Sequence, residues 1–366
     1  MLNTTTFKKI IGNHLKILTS SMLRNNATDD NYLQIERLDN TLHTMSVGYK
    51  HTLMLTNDFE GGDTGLAIVD PNRLNKTLPY MGDDLNIRFN EKDLDFYNDN
   101  SQVKLYKLGM QEDYKVSVPN FKQLIARAES EGVKVGKEDF FKTIRRLMDA
   151  SGEIEDVELY NVVSLNFKTD GKAFTGSNTS YFRTDFNLGG KSLVIDKPTA
   201  ALILGMDTND ASEVNILIDE SSITYVCGGN VLKVDEVSTN MMDDDKLQAM
   251  DSIGKTNKVE FDINNFKRLV NLATTLAEED VIDVSIKEGS GVIKSGVGGE
   301  NTDFSKGEFS ANEEIDIDFS IEAKPLLDVL NVIENNVGIY INEEVNVMVV
   351  ESEDEKDYAV IQLSDI

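Results

Sequence analysis

Hydrophobic and polar positions change period along this chain in one order, and that order occurs three times. An apolar extended run meets a proline and continues as an amphipathic segment in LAIVDPNRLNKTL, LVIDKPTAALILG and FSIEAKPLLDVLNVI. The prolines, Pro71, Pro198 and Pro325, are 127 residues apart. Proline is tolerated in the first turn of a helix, where its missing N–H has no intrahelical partner. The spacing therefore predicts one strand-to-helix junction repeated three times. After each junction, DLNIRFNEKDLDFYNDNSQVKLYKL, EVNILIDESSITYVCGGNVLKVDEV and NNVGIYINEEVNVMVVESEDEKDYAVIQL alternate apolar and polar residues between short polar turns. That is the period-2 signature of hairpin strands.

An earlier helix precedes each junction and begins around Phe7-Lys8-Lys9-Ile10-Ile11, Phe141-Lys142-Thr143-Ile144-Arg145 and Phe266-Lys267-Arg268-Leu269-Val270. In the first, Phe7, Ile10, Ile11, Leu15, Leu18 and Met22 form an apolar stripe, while Lys9, Lys16 and Ser20 fall on the opposite side. Phe121-Lys122-Gln123-Leu124-Ile125 has a similar look but precedes the second copy and reads as linker. The pattern predicts an α+β chain of three copies, each with two helices packed on antiparallel sheets, over 1–117, 118–246 and 247–366.

Composition sharpens this picture. At 40% hydrophobic residues the 366-residue chain has enough apolar material for a core in each copy. Cys227 is the only cysteine, which rules out an intrachain disulfide and suits a reducing cytoplasm. It reads as a small buried residue. No run approaches the roughly 18 consecutive apolar residues that a membrane span needs, so no membrane partner is expected. The basic start of the chain is in register as the first helix of copy one, which is favoured over an organelle presequence.

The formal net charge of −28 argues against phosphate partners until its distribution is considered. Acids concentrate in turns and strands, as in NEKDLDFYNDN and ESEDEKD, whereas the predicted helices carry many of the basic residues. One basic helical face on an otherwise acidic surface is the expectation.

The order of these segments resembles the bacterial sliding clamp, the beta subunit of the replicative DNA polymerase. IDIDFSIEAKPLLDVLNVIENNVGIYINEEVNVMVVES, with DYAVIQL after it, carries the resemblance most specifically. VELYNVVSLNF with KTDG and Val118-Pro119-Asn120-Phe121 add to it. The resemblance implies three DNA-clamp domains per chain and a head-to-tail homodimer closing a ring. It implies double-stranded DNA held without sequence preference, a replicative polymerase and a clamp-loader ATPase as partners, and neither a catalytic site nor a cofactor.

Carried over by position, Arg24 matches a DNA-contact residue of the family. By helix position, Lys9, Lys16, Arg73, Lys142, Arg145, Lys197, Lys267 and Lys324 are candidates for the DNA-facing surface. The subunit contact maps to Val103 and Leu105 on one side and to Leu272, Thr275 and Leu276 on the other, Leu272 and Leu276 being equally readable as core. A pocket for partner peptides maps to Gly176, Asn178, Tyr181, Met241, Val360, Ile361 and Leu363, with exposed Ile and Leu near the chain end suiting a groove. The local sequence departs from the family there: Ser177-Asn178-Thr179-Ser180-Tyr181 replaces a Thr-Asp-Gly-His-Arg type of loop, and the tail QLSDI replaces a Met-Pro-Met-Arg-Leu type. A different preferred peptide is expected.

Other signals are weaker. His14, His43 and His51 lack metal-ligand spacing, and His14 reads as a packed helix residue. Asp243-Asp244-Asp245 reads as a solvated linker. DTNDASE lacks the glycine and closing glutamate of a calcium loop. GSGVIKSGVGG lacks the Lys-Ser/Thr that closes a phosphate loop, so turn glycines account for it. An acidic clamp-like DNA mimic is the rival reading, and it leaves the basic helices without a role.

Overall fold

The computed structural model describes residues 2–22, 32–48, 50–60, 64–108, 120–151, 164–177, 179–207, 210–235, 244–276, 281–295, 305–312, 315–333 and 337–364. Each copy runs through a short strand, a helix, four strands, a second helix and three strands. Copy one begins with β1 (Leu2–Asn3), α1 (Thr4–Met22), β2 (Leu33–Leu38), β3 (Thr41–Val47), β4 (His51–Asp58) and β5 (Gly65–Val69). It continues with α2 (Pro71–Thr77), a 3-10 turn (Leu78–Tyr80), β6 (Asp84–Phe89), β7 (Asp93–Tyr97) and β8 (Gln102–Tyr106). An additional helix, α3 (Phe121–Glu131), follows.

Copy two holds β9 (Val133–Gly136), α4 (Lys137–Ala150), β10 (Ser164–Phe167), β11 (Lys172–Gly176), β12 (Ser180–Asp185) and β13 (Leu193–Asp196). After these come α5 (Lys197–Gly205), β14 (Glu213–Ile218), β15 (Ile223–Cys227) and β16 (Asn230–Val234), then the connecting helix α6 (Asp244–Asp251). Copy three holds β17 (Lys258–Val259), α7 (Ile263–Leu276), β18 (Val281–Lys287), β19 (Ser290–Ser295), β20 (Ser305–Ser310) and β21 (Ile317–Glu322). It ends with α8 (Ala323–Val332), β22 (Val337–Asn342), β23 (Val347–Ser352) and β24 (Tyr358–Ser364).

The predicted junctions form as expected, with a drift in the proline's place. Pro71 is the first residue of α2, and Asp70 caps that helix by accepting from the N–H groups of Asn72 and Arg73. Pro198 is second in α5 and Pro325 third in α8. All three stay in the first turn, where no N–H is required.

The chain divides into two compact units, Met1–Phe141 with Pro198–Val237, and Lys142–Lys197 with Ser238–Ile366. In the first, the strand order is β5-β2-β3-β4-β16-β15-β14-β9, with a separate sheet β1-β6-β7-β8. In the second, β13-β10-β11-β12 meets β24, which also pairs with β23 and with β21 of the run β21-β18-β19-β20. A four-strand half from one copy is thus joined to a half from the next at two seams. The first is β4 with β16 and the second β12 with β24, each antiparallel over four residue pairs.

Helix α1 buries Phe7, Ile10, Ile11, Ile17 and Leu18, each side chain contributing about 1.5–3 kcal/mol. His14 lies on this buried side and bonds Ser46 Oγ at 2.7 Å and Thr44 Oγ1 at 2.8 Å, a packed helix histidine as anticipated. Cys227 is buried, and burial pushes its thiol pKa up to about 11. The described part of the glycine-rich segment, 289–295, supplies part of the β18–β19 turn and the whole of β19, the turn placing Glu288 at φ 50° and Gly289 at φ 79°, while 296–299 lie outside the described residues.

Two sequence expectations require correction. The segment starting at Phe121 is a packed helix within the connection between copies one and two. Asn120 caps it by accepting from Gln123 N–H, and Phe121, Leu124, Ile125 and Ala128 pack on Met45, Met54, Leu217, Val226 and Val231. Its apolar spacing has a sheet face to cover, which local composition does not show. Second, Phe140, not Phe141, is equivalent to Phe7 and Phe266. The buried pairs then align as Ile10 and Ile11, Thr143 and Ile144, and Leu269 and Val270. Two adjacent phenylalanines made the register ambiguous in sequence.

Candidate functional site

The register of the three first helices decides which cations occupy equivalent positions. Lys9, Lys142 and Arg268 occupy equivalent exposed positions on α1, α4 and α7. Helix position in the sequence points to Lys267 in place of Arg268, and the corrected alignment is the signal that finds Arg268. Its Nη2 donates to Asn265 Oδ1 at 2.9 Å. Lys16 and Arg145 are also exposed, and so is Arg73, which pairs with Asp70 at 3.4 Å. Such an exposed pair adds little stability and leaves the guanidinium open to other anions.

The second helices supply less charge than expected. Lys197 and Lys324 precede their prolines at half-buried positions, and the rest of α5 and α8 is largely apolar and buried. Lys267 is half-buried, and loss of solvent lowers its pKa. Arg24 lies outside the described residues. Arg146, which the sequence groups with Lys142 and Arg145, is no surface cation. Its Nε donates to Val332 O at 2.8 Å and Nη1 to Thr184 Oγ1 at 3.1 Å, while Nη2 pairs with the buried Asp357. Its guanidinium also lies over the face of Phe182, 5.4 Å from the ring centre.

The positions matched to the peptide pocket converge on the second seam, with a change of character. Gly176 is half-buried, and Asn178 and Met241 lie outside the described residues. Tyr181 and Val360 face each other across β12 and β24 and are only 3% and 4% exposed. Helix α6 covers them with Leu247, beside Phe174, Val349 and Tyr358. At the end of α6, Asp251 accepts from Tyr181 Oη at 3.4 Å and lies 3.5 Å from Arg183 Nε and 3.6 Å from Lys172 Nζ. Burial pushes Tyr358 up to about 12 and raises Tyr181 further.

Ile361 and Leu363 are buried, correcting the expectation of exposed apolar residues at the chain end. Strand β24 is internal, its edges paired with β12, β23 and β21, and consecutive residues Tyr358 to Ile361 are buried, so both of its faces are covered there.

The two sets matched to a subunit contact both lie at open edges. Val103 is half-buried and Leu105 buried on β8, which pairs with β7 alone among the described residues. Strand β20 likewise pairs only with β19 among the described residues. Leu272 on α7 is 43% exposed, which removes it from the core. Thr275 is exposed and donates to Asn271 O at 2.9 Å, and the Leu276 side chain lies outside the described residues.

Among the described residues no group of three or more His, Cys, Asp or Glu is placed to hold a metal ion, and no helix is long and apolar enough to cross a membrane. His43 bonds Thr56 Oγ1 at 3.0 Å and His51 bonds Thr199 Oγ1 at 2.8 Å.

No protein-family model matches the chain, and no curated protein matches it. Solved structures do. A sliding clamp (DNA polymerase III subunit beta) from Bartonella birtlesii bound to griselimycin superposes with a TM-score of 0.77 at 12% identity, over 100% of this chain and 99% of that one. The Helicobacter pylori beta clamp bound to a DNA ligase peptide gives 0.76 at 11% identity, with coverage of 100% and 99%. The DNA polymerase III subunit beta from Pseudomonas aeruginosa gives 0.74 at 14% identity, again over 100% and 99%. The chain has the sliding-clamp fold.

Proposed function

We propose that this chain is a DNA sliding clamp: two copies join head to tail around duplex DNA and tether a replicative polymerase. The observation that carries this reading is the pair of open edges. β4 meets β16 and β12 meets β24 within the chain, while their third-copy and first-copy equivalents, β20 and β8, have no such partner among the described residues. Edges of this kind invite pairing with another chain. A second copy offers β8 to β20 and β20 to β8, so two heterologous contacts close the assembly.

The three domains are those of the repeat, 1–117, 118–246 and 247–366, with α6 spanning the last boundary. Exposed Lys9, Lys16, Lys142, Arg145 and Arg268 then face the duplex. Their contacts are with phosphate, which carries no sequence information and permits sliding. The polymerase and a clamp-loader ATPase bind through short peptides near Tyr181 and Val360, a use of the fold supported by the ligase peptide on the Helicobacter pylori clamp. The protein performs no chemistry of its own and works in the cytoplasm.

The protein loaded by its cognate loader is expected to remain on nicked circular DNA and to leave once the DNA is linearised. Equal retention on DNA with free ends would sink this function. Charge reversal of Lys142 and Arg145 should weaken retention, most at low salt and less as screening grows, without changing the oligomeric state.

A further inference from the structure

The groove assigned to partner peptides already has an occupant. Phe182 and Thr184 meet Arg146 of α4, so Tyr181 and Arg183 turn to the other face of β12. Phe174, Val349, Tyr358 and Val360 share that face, and the segment 247–256 crosses it. Leu247, Met250 and Ile253 of the segment pack on these side chains, with Leu247 buried. Polar contacts follow the same path. Tyr358 Oη donates to Met250 O at 2.9 Å, Lys255 pairs with Glu351, and Thr256 Oγ1 donates to Ile341 O at 3.0 Å. The segment sits as a ligand would, with apolar residues inward and its cation on an acid.

Its acidic anchor is poorly made. Asp251, the last residue of α6, lies 3.5 Å from Arg183 Nε and 3.6 Å from Lys172 Nζ, and accepts from Tyr181 Oη at 3.4 Å. Charge-assisted bonds run to about 2.7–2.9 Å, so all three contacts are long. Arg183 Nε is buried and finds no hydrogen-bond acceptor. A carboxylate at a helix C-terminus also meets the negative end of the dipole. Asp251 therefore neither completes the cation pair nor stabilises its own helix.

The first seam shows a fuller cover. Met54 and Tyr181 are equivalent, 127 residues apart, and their strand partners are Met45 and Gly176. Where α3 closes on a methionine, the second seam has a residue without a side chain. Helix α3 spans 11 residues and brings Phe121, Leu124, Ile125 and Ala128, whereas α6 spans 8 and buries Leu247.

Resting on the peptide reading above, we propose that α6 is a displaceable internal occupant of this groove, and that Lys172 and Arg183 select an acidic residue in the partner peptide that replaces it. The partner carries the pattern of α6 with a better-placed acid: two apolar residues three positions apart, as Leu247 and Met250 are, then a carboxylate. That carboxylate supplies the acceptor that Arg183 Nε–H lacks. In the free chain the closed fraction lowers the apparent affinity in proportion, so polymerase and loader compete with the chain itself.

The probe is a fluorescent synthetic peptide of residues 244–256, read by anisotropy against the full chain. Asp251→Ala in the chain should raise its affinity about tenfold by releasing α6. Hydrogen exchange of the α6 amides should quicken in that variant while β11 is unchanged. A peptide carrying Asp251→Ala should lose most of the gain, and so should the released chain with Arg183→Gln. Equal affinity for wild-type and Asp251→Ala chains, with unchanged α6 exchange, would overturn the proposal and leave the peptide groove standing. Absence of binding to both chains would overturn it too. Polymerase stimulation unaffected by Tyr181→Ala and by Val360→Ala would instead overturn the groove reading itself.

Discussion

Removing the Arg146 guanidinium should act on stability, not on DNA. In Arg146→Ala the Asp357 carboxylate, 3% exposed, keeps the Thr184 hydroxyl as donor at 2.7 Å but loses its cation. Breaking a buried pair from one side costs about 3–5 kcal/mol. The Val332 carbonyl loses its 2.8 Å donor as well, a smaller penalty of about 1–3 kcal/mol that does not simply add. We expect about 4 kcal/mol against the β12–β24 seam, close to a thousandfold in its opening constant. Hydrogen exchange of the β12 and β24 amides reads that opening directly. Pairing the change with Asp357→Asn should recover much of the loss, because no uncompensated charge then remains. A loss below about 1 kcal/mol, together with weakened DNA retention, would refute the reasoning and return Arg146 to the surface cations.

Two further perturbations test the other unit. Burial lowers the His14 pKa from 6.5 to about 3, so the folded state keeps it neutral while the unfolded chain takes up a proton. Stability should therefore fall as pH drops below about 6.5, by roughly 2 kcal/mol at pH 5 from this group. His14→Leu should remove that share of the slope in urea melts at pH 5 and pH 7, and an unchanged slope would count against it. Gly205→Ala places a Cβ 2.7 Å from the Asn13 amide. It should destabilise by about 1–2 kcal/mol despite alanine's better helix propensity, and the sign should reverse in an Asn13→Ala background. Destabilisation in both backgrounds would show that the close approach to Asn13 is not the cause.

Much of the fold was legible because its signals are local. Alternation marked β6 to β8, β14 to β16 and β22 to β24, and the prolines marked the starts of α2, α5 and α8. The cations of the candidate DNA-facing surface could be listed in the same way, but not sorted. Lys142 and Arg146 lie four residues apart on one helix, and their difference depends on Asp357, 211 residues away. The peptide-pocket positions were similarly misread at Ile361 and Leu363, since an internal strand and an exposed tail share one alternation.

By itself, the sequence determined the threefold repeat, the order of helices and strands in each copy and the enrichment of basic residues on helices. These follow from spacing and composition within windows of one element, where side-chain periodicity reports which face is apolar. Tertiary structure decided the helix register around Phe140, the roles of α3 and α6 as covers, and which polar groups are paired. Those depend on what lies across a seam, such as Gly205 for Asn13 at 192 residues' remove. A buried polar group is tolerated only when a partner arrives, and no local pattern names that partner.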